Sequence, residues 1–266
     1  MKAISVIIIT RNEEHNIIDC VRSAKLLSDD IVVVDASSID ETVNLAKNEG
    51  ARVFSIRWQG YGFSRNVGAI KAKHDWILSL DADERISREL CDSIEALNLT
   101  DNNCIYRFRR RNFIGEKRIR FGTLGFETVK RLYNRNYSQW DLTLVHERLQ
   151  SEHPSKKLIA GHIDHYSFKN AKDYEAKAIL YAQMSAEKYR SQGKTAGLAK
   201  CILSPLFNSI KSFVFQFGFL DGHAGWTSAR IIALYSWLKY LYLHQLLKQS
   251  ISKRISLPSK QRVERA

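Results

Sequence analysis

The chain has 266 residues, a length that suits one large α/β domain with an appendage better than two full domains. Its 44% hydrophobic content excludes a disordered chain, and its 13 glycines and 3 prolines exclude a collagen-like one. The 41 Lys and Arg residues against 28 Asp and Glu residues give a net charge of +13, so the surface should attract a polyanion: nucleic acid, an anionic membrane or a phosphorylated substrate.

The N-terminal sequence predicts no secretion signal, because the apolar run at residues 4–9 is short and ends in charged residues. The four cysteines are far apart and form no Cys-x-x-Cys pair, which is typical of reduced thiols in a cytosolic protein. No stretch reaches the roughly 18 apolar residues that span a bilayer. We therefore expect a cytoplasmic protein whose membrane contact is peripheral.

The first hundred residues alternate between short apolar runs and amphipathic segments. The runs predict strands at residues 4–9, 31–34, 52–56 and 76–80. The segments between them predict helices at about residues 14–26, 39–48 and 63–72. Ser38 and Glu41 have the spacing of a capping box and place the start of the second helix. Such alternation is typical of βαβ units, so this half is expected to form a doubly wound parallel sheet.

After residue 98 the pattern changes to separate strands, which are predicted at residues 105–111, 128–133 and 158–164. Ten basic residues fall between positions 107 and 135 against only two acidic ones, so a positively charged wall is expected there. Phenylalanines alternate with these arginines, which would suit RNA by stacking or a phosphorylated acceptor by bidentate hydrogen bonds. No RNA-binding motif accompanies them, which favours the acceptor over nucleic acid.

The C-terminal third is helical and aromatic in its pattern. Tyr174, Ala178 and Tyr181 have the spacing of an amphipathic helix over residues 171–190. Residues 201–249 combine many aromatic side chains with scattered lysines. They suit either an interfacial element on an anionic membrane or a helical pair packed on the core. The basic tail at 253–265 is expected to fray.

These patterns predict two domains. The first spans residues 1–200 and changes its pattern at residue 98, which divides it into halves at 1–98 and 99–200. The second is a helical, aromatic and basic extension at residues 201–266, expected to associate with a membrane.

Asp81 and Asp83 follow the fourth predicted strand, at the edge of an open α/β sheet where ligands bind. Residues two apart in an extended segment point the same way, so both carboxylates would face one space. Hard oxygen donors in this arrangement suit Mg²⁺ or Mn²⁺, which would neutralise the charge on a departing diphosphate. The alternative is a solvated acidic turn that caps the helix beginning near Ser87.

Several motifs occur in a characteristic order. They are Val6-Ile-Ile-Ile-Thr10-Arg-Asn-Glu-Glu14, Val32-Val-Val-Asp35-Ala-Ser-Ser-Ile-Asp40-Glu-Thr42, Arg65-Asn66 and Leu80-Asp81-Ala-Asp-Glu84. This combination resembles the family-2 glycosyltransferases with the GT-A fold. Trp58-Gln-Gly-Tyr-Gly62, Asp75-Trp76 and the Phe-Leu-Asp-Gly stretch at 219–222 are similar to the branch that adds glucose to the inner-core heptose of bacterial lipopolysaccharide.

The resemblance implies a GT-A sheet and an inverting, metal-dependent transfer of a hexose, with glucose favoured. It makes residues 1–200 the catalytic domain, with a nucleotide-sugar half at 1–98 and an acceptor half at 99–200. The donor would be a UDP-sugar and the acceptor a lipid-linked saccharide at the cytoplasmic face of the inner membrane. The residues implied to form the nucleotide-sugar site are Thr10, Asn12, Glu13, Asp35, Arg65, Asp81 and Asp83. Asp35 would contact the uracil or ribose, although it could instead cap the loop before the next helix.

The resemblance also implies a metal site. Asp83 would bind Mg²⁺ or Mn²⁺ together with the diphosphate. His165, which forms an H-x-x-H pair with His162, is carried as a further ligand because a neutral imidazole can bind a metal beside carboxylates. Two histidines at this spacing are more often surface or capping residues.

An inverting transferase needs a base that accepts the proton of the acceptor hydroxyl. The family usually places an aspartate there in a Glu-Asp setting, whereas the corresponding region of this chain, residues 140–148, offers His-Glu. We expect Glu147 to be the base, with Asp141 as the second candidate. The alternative for Glu147 is an ion pair with Arg148 on a solvated turn.

Two functions from other classes stay open. One is a binding module that has lost catalysis and docks on anionic lipid or nucleic acid, which the presence of both Asp81 and Asp83 disfavours. The other is a nucleotidylyltransferase, a class that has a glycine-rich loop after the first strand. The segment from Thr10 to Glu14 contains no glycine.

Overall fold

The computed structural model describes residues 2–143, 147–195 and 197–255. The basic tail predicted at 253–265 therefore lies mostly outside the described residues. The described chain separates into two compact units, one formed by residues up to 118 with 124–167, the other by 119–123 with 168 onward. The predicted domain boundary at residue 200 separates a catalytic part of the chain from a helical extension. This division by function stays a proposal.

Four parallel strands form the centre of the first unit, in the order β3-β2-β1-β4. They are β1 (Ile4–Thr10), β2 (Ile31–Asp35), β3 (Arg52–Ser55) and β4 (Trp76–Asp81). Every residue of β1 and β2 is buried, as expected for parallel strands covered on both faces, which is why they read as unbroken apolar runs. The four predicted strands are confirmed to within one residue.

Helices cover both faces of these strands. They are α1 (Ile17–Lys25), α2 (Thr42–Asn48), α3 (Tyr61–Lys71) and α4 (Arg88–Glu95). Alternate residues of β1 point to opposite faces. Val6 and Ile8 pack in a core with α1, α2 and α4, whereas Ile7 and Ile9 pack in a second core with Ala69 of α3.

The predicted capping box at the start of α2 is wrong. The helix begins three residues later than predicted, at Thr42, and no side chain of Glu41 caps it. Asp40 accepts from the backbone N–H of Thr42 at 3.1 Å instead. Ser38 is unavailable because its hydroxyl donates to Asp35 and accepts from the backbone N–H of Asn12.

The second half of the unit extends the same sheet with antiparallel strands. Their bounds are β5 (Glu84–Ile86), β6 (Ile105–Ile114), β7 (Lys117–Arg118), β8 (Glu127–Asn134), β9 (Gln139–Trp140), β10 (Leu149–Gln150) and β11 (Lys156–Phe168). The order continues from β4 as β8-β6-β11-β5, while β9 and β10 form a separate pair. The pairing of β11 with β5 places His165 opposite Glu84, and so beside the turn that follows β4.

The second unit is helical. It contains α6 (Ala171–Ser191), α7 (Leu198–Ile210), a π-helical turn (Lys211–Phe215), a 3-10 turn (Gly218–Asp221) and α8 (His223–Ile255). A short helix, α5 (Gly122–Gly125), precedes β8. The predicted helix at 171–190 is confirmed as α6, which packs against α8 through Ala186 and Leu243. Among the described residues, no helix combines the length and hydropathy needed to cross a bilayer.

Candidate active site

The last residue of β4, Asp81, lies at the carboxyl edge of the parallel strands and is held by two arginines. Arg65 of α3 donates to its Oδ1 at 2.6 Å, and Arg131 of β8 donates to its Oδ2 at 2.6 Å. Burial opposes ionisation of this carboxyl, but the positive charges of Arg131 and Arg65 outweigh burial and hold its pKa well below the usual range. Asp81 is therefore a carboxylate whose position is set by two guanidinium groups.

A wider ion cluster surrounds Asp81. Glu84 is fully buried and accepts from Arg131 at 2.6 Å and from Arg110 at 3.2 Å. Arg110 also forms a two-pronged pair with Glu127. Burial raises the pKa of Glu127, but the charge of Arg110 outweighs burial and lowers it overall. The cluster ties β4, β5, β6 and β8 together through buried charges that compensate one another.

Asp83 and His165 face each other next to this cluster. The Oδ2 atom of Asp83 is 3.5 Å from Nε2 of His165, and both side chains are largely buried. The other ring nitrogen, Nδ1, is 2.6 Å from Oδ1 of Asn112. The amide group of Asn112 donates to the carbonyl of Leu124 and to Glu127, so its oxygen must accept from His165. The proton of a neutral His165 is therefore on Nδ1, and Nε2 presents a lone pair towards Asp83.

This donor set fits a hard divalent cation. A carboxylate oxygen and an imidazole nitrogen are both ligands that Mn²⁺ accepts, and Mg²⁺ binds through one or two carboxylates with phosphate oxygens completing the shell. Within residues 2–143, 147–195 and 197–255 there is no group of three or more His, Cys, Asp or Glu side chains arranged to hold a metal. Asp83 and His165 would thus supply two ligands and leave the remaining positions to a bound diphosphate.

Loops after β1 and β2 form the neighbouring part of the edge. Thr10 pairs in register with Asp35, and both are buried. Asn12 has a positive φ of 55° and its side chain accepts from the backbone N–H of Ile39. The backbone N–H of Glu13 donates to the hydroxyl of Thr42 at 2.8 Å. Four of the predicted pocket residues are thus brought together on two cross-linked loops.

Asp35 has a clear structural role in this loop. Its carboxylate accepts from the backbone N–H of Ser38 at 3.1 Å and from the Ser38 hydroxyl. This is the loop-capping alternative named for it above. A carboxylate fixed in this way could still accept from a sugar hydroxyl through its remaining lone pairs, so the predicted contact with uracil or ribose stays a proposal.

Arg65 and Asn66 anchor α3 to the segment that contains the candidate bases. The side-chain amide of Asn66 donates to the carbonyl of Trp140 at 2.8 Å and accepts from its backbone N–H at 3.0 Å. The Arg65 guanidinium lies 4.9 Å from the centre of the Trp140 ring. The orientation of Arg65 is consequently determined by a ring on one side and by Asp81 on the other.

The two candidate bases lie at opposite ends of a short loop whose middle, residues 144–146, is outside the described residues. Glu147 is mostly buried and its Oε1 accepts from Nε of Arg65 at 3.3 Å. This ion pair differs from the alternative partner considered above, Arg148. Asp141 accepts from the hydroxyl and the backbone N–H of Thr143. Glu147 therefore belongs to the same charge cluster as Asp81, while Asp141 holds the neighbouring Thr143.

Sequence reasoning missed several residues of this cluster. The sequence predicts that Arg110 and Arg131 belong to a positively charged wall. In the structure their guanidinium groups are internal and form ion pairs with Asp81 and Glu84. Asn112 was not singled out at all. The only available signal was the alternation of β6, which places Asn112 and Arg110 on one face of the strand. His162 lies on the other face of β11 from His165 and is 2.6 Å from Arg111.

Comparisons with known proteins show the family to which the chain is related. The family model described as glycosyl transferase family 2 matches residues 5–162. An uncharacterised glycosyltransferase of Rickettsia typhi is 30% identical over 263 residues, covering 94% of this chain and 89% of that protein. A lipopolysaccharide core biosynthesis glycosyltransferase of Rhizobium meliloti, LpsC, is 25% identical over 254 residues, covering 91% of this chain and 92% of that protein.

Among solved structures, glucosyl-3-phosphoglycerate synthase from Mycobacterium tuberculosis, in complex with Mn²⁺, UDP and glucosyl-3-phosphoglycerate, is similar over 42% of this chain and 44% of that chain. The identity is 22% and the TM-score 0.36. This similarity is too low to support inferences about individual residues.

Proposed function

This chain belongs to glycosyl transferase family 2, and from that premise we propose that it moves a hexose, with glucose favoured, from a UDP-sugar to a lipid-linked saccharide with inversion. The chain is a glycosyltransferase with the α/β GT-A type of sheet. The observation that carries the finer proposal is the pair of Asp83 and His165, 3.5 Å apart at the carboxyl edge of the sheet. A diphosphate-bearing donor is the substrate class that such a pair suits, because its oxygens complete the shell of a bound cation.

The donor site would combine the two loops with the ion cluster. Thr10, Asn12, Glu13 and Asp35 would contact the nucleoside, with Asp35 accepting from a uracil N–H or a ribose hydroxyl. Asp81 would accept from a ribose or sugar hydroxyl, while Arg65 beside it orients the carboxylate. Because both arginines hold Asp81 in its charged form, it would act as a hydrogen-bond acceptor and not as an acid.

Asp83 and His165 would hold Mg²⁺ or Mn²⁺ at the diphosphate. When bound, such an ion neutralises the negative charge that develops on the leaving UDP. Asn112 keeps Nε2 of His165 in the form that binds a cation. The buried arginines of the cluster prevent Asp81 and Glu84 from accumulating uncompensated negative charge beside this site.

The transfer would be a single displacement. The acceptor hydroxyl attacks the anomeric carbon, the new C–O bond forms as the bond to UDP breaks, and UDP leaves with the electron pair. Glu147 would accept the hydroxyl proton, with Asp141 as the second candidate. Glu147 is favoured because it is mostly buried and joined to the donor site through Arg65, whereas Asp141 is hydrogen-bonded to its neighbour Thr143.

The proposed acceptor is the heptose inner core of lipopolysaccharide, at the cytoplasmic face of the inner membrane. The similarity to LpsC extends over nearly the full length of both proteins and supports a lipopolysaccharide core acceptor. Arg109 and Lys117 are exposed cations of the basic segment that the ion cluster does not include, and they would suit phosphate groups on such an acceptor.

The proposal is tested by measuring UDP release from UDP-glucose with Mn²⁺ and heptose-terminated lipopolysaccharide. We expect Asp83→Asn to reduce release at least a hundredfold without lowering the melting temperature. Asp92→Asn, an exposed residue of α4, is the matched control and should behave as the unaltered protein. Undiminished release from Asp83→Asn would remove the metal assignment.

A thermal-shift series of nucleotide sugars with and without Mn²⁺ tests the donor. UDP-glucose should raise the melting temperature more with Mn²⁺ than without it. If no nucleotide sugar shifts the transition and no UDP is released, the chain is a binding module. Formation of a nucleoside triphosphate from a nucleotide sugar and pyrophosphate would instead indicate a nucleotidylyltransferase.

A further inference from the structure

Helix α7 in the second unit exposes apolar side chains on one face. Five large residues of this helix are between 41% and 70% exposed: Ile202, Leu203, Leu206, Phe207 and Ile210. At 3.6 residues per turn they fall within an arc of about 140°. A helix on the surface of a soluble protein normally presents polar side chains along such an arc.

The opposite face of α7 is polar and is turned inward. The side-chain amide of Asn208 donates to the hydroxyl of Ser236 on α8 at 2.9 Å and to that of Ser204 at 3.3 Å. Ser212, in the π-helical turn that follows, is buried and accepts from the backbone N–H of Thr123. The helix is thus inverted, with its hydrogen bonds inside and its apolar surface outside.

The apolar surface continues through the two turns that follow α7. Its members, between 48% and 72% exposed, are Val214, Phe215, Phe217, Phe219 and Leu220 in or between these turns and Trp226 at the start of α8. Phe217 has a φ of 57°, a left-handed conformation that costs a non-glycine residue roughly 1–3 kcal/mol. The exposed rings are therefore held on a turn that the surrounding structure enforces.

Close backbone packing anchors this turn. Asp221 accepts from the backbone N–H groups of Arg120 and Phe121 at 2.9 and 2.8 Å. A Cβ atom on Gly225 would lie 1.8 Å from the carbonyl oxygen of Gly218, so only glycine permits this approach. The exposure of the rings is consequently a property of a tightly packed segment and not of a loose one.

The charge around this surface has one sign. Asp221 is the only acidic residue between positions 198 and 226, and it is buried. Lys200 and Lys211 are exposed and lie at the margin of the apolar arc. An apolar surface with aromatic rings and flanking lysines complements an anionic bilayer, where rings enter the headgroup boundary and ammonium groups reach lipid phosphates.

We propose that residues 202–226, called the docking surface here, insert peripherally into an anionic bilayer. The inference rests on the proposed function only in that a lipid-linked acceptor would be presented on that bilayer. A second copy of this chain is a poorer occupant, because it would bring Lys200 and Lys211 of both copies to one interface without exposed acids from the same segment.

Co-sedimentation with vesicles tests the docking surface without requiring any reaction. The unaltered protein should bind vesicles of phosphatidylcholine with phosphatidylglycerol more tightly than vesicles of phosphatidylcholine alone. The double variant Phe207→Ser with Phe215→Ser should partition at least tenfold more weakly, since both residues are more than 60% exposed and would meet the bilayer directly. Leu180→Ser, at a leucine of α6 that is 54% exposed, is the control outside the docking surface and should bind normally.

A second variant tests the charge contribution. Lys200→Glu with Lys211→Glu should abolish the preference for phosphatidylglycerol and leave the residual binding to neutral vesicles. Unchanged vesicle binding by the phenylalanine variant would overturn the proposal. Two results taken together would also overturn it. Neither the unaltered protein nor the variants would bind vesicles, and light scattering would show a dimer that the phenylalanine variant dissociates.

The two proposals fail in distinguishable ways. UDP release with a delipidated, water-soluble core saccharide should be the same in the phenylalanine variant as in the unaltered protein. Loss of vesicle binding with retained UDP release would leave the transferase assignment intact. Vesicle binding without UDP release would leave the docking surface intact and remove the proposed transfer from UDP-glucose to a core saccharide.

Discussion

At the scale of single residues, the site depends on polar side chains that orient other polar side chains. Asn112 is buried and has each of its three hydrogen bonds directed to a different group. Its oxygen determines which nitrogen of His165 carries the proton. Mutation of a residue that hydrogen-bonds to a metal ligand commonly lowers metal affinity 10- to 100-fold.

We expect Asn112→Ala to weaken Mn²⁺ binding about 10- to 100-fold in the presence of UDP, because His165 would lose the acceptor that fixes its tautomer. Electron paramagnetic resonance of free Mn²⁺ measures this directly. The ¹⁵N spectrum of His165 should show Nδ1 protonated in the unaltered protein and a mixture of tautomers in the variant.

Asn98→Ala, at an exposed position after α4, is the control for Asn112→Ala. If Asn112→Ala keeps its melting temperature and also binds Mn²⁺ as tightly as the unaltered protein, Asn112 does not position a ligand.

The D-x-D pair was predicted from sequence because it is a local pattern at the end of an apolar run. The apolar strand that precedes Asp81 and Asp83 is enough to identify them as candidate site residues. The partners were not predictable in the same way, since Arg131 is 47 residues from Glu84 and Asn112 is 53 residues from His165. Which arginine reaches which acid depends on strand order and register, and no local pattern encodes either.

At the scale of elements, the start of α3 is fitted closely to the loop that carries Asp141. A Cβ atom on Gly62 would lie 1.9 Å from the carbonyl oxygen of Asp141 and 3.5 Å from Cβ of Glu147. The first turn of the helix therefore sets the position of both candidate bases. Glycine is required here for close approach of two backbones.

Gly62→Ala should displace the backbone at Asp141 and lower kcat for UDP release more than tenfold, with a loss of unfolding free energy of about 1–3 kcal/mol. Steady-state kinetics and urea unfolding separate the two effects. Gly197→Ala is the matched control because Gly197 has a φ of −76° and no atom within 4 Å of the added carbon. Equal values of kcat and of the unfolding free energy in the two variants would show that Gly62 does not determine the position of the loop that carries Asp141.

The elements themselves were largely predictable. Strands of the parallel half are buried on both faces and therefore stand out as apolar runs. The start of α2 was not predictable, because Ser38 had a competing partner in Asp35 that the capping pattern does not include. The short strand β5 was also missed, since three residues pair with β11 only through the tertiary arrangement.

At the scale of the whole molecule, two arginines of the basic segment are internal, while the surplus of positive charge is not reduced, because acids pair with them. Arg110 and Arg131 contribute to the net charge of +13, yet both are used inside the sheet. Their partners Asp81 and Glu84 come from the nucleotide-sugar half, so the ion cluster joins the two halves of the predicted catalytic domain. The stability of the site is therefore coupled to pH.

We expect Arg131→Met to lower the free energy of unfolding by about 3–5 kcal/mol at pH 7, because Glu84 and Asp81 would lose a buried counter-charge. The pKa of Asp81 is depressed in the folded protein, so its contribution is present above the unfolded value of about 4 and is lost as the pH falls below it. The difference between the variant and the unaltered protein should accordingly persist from pH 7 down to about pH 4 and shrink between about pH 4 and about pH 2.

Urea unfolding at neutral and at acidic pH measures this difference. Arg109→Met, at an exposed position of the same basic segment, is the control. It should change the free energy of unfolding by less than about 0.5 kcal/mol. A loss that is the same at pH 7 and at about pH 2 would indicate that Arg131 acts through packing and not through charge.

The sequence by itself determined the parallel α/β half and the family to which the chain belongs, because both follow from local patterns of buried and polar residues. It also indicated an aromatic and basic C-terminal region but left open whether that region is buried or exposed. Only the tertiary structure decided that the outer face of α7 is apolar, that His165 lies beside Asp83, and that two arginines of the basic segment are internal. These are contacts between segments far apart in the chain, and their formation depends on strand register and helix packing that only the complete fold establishes.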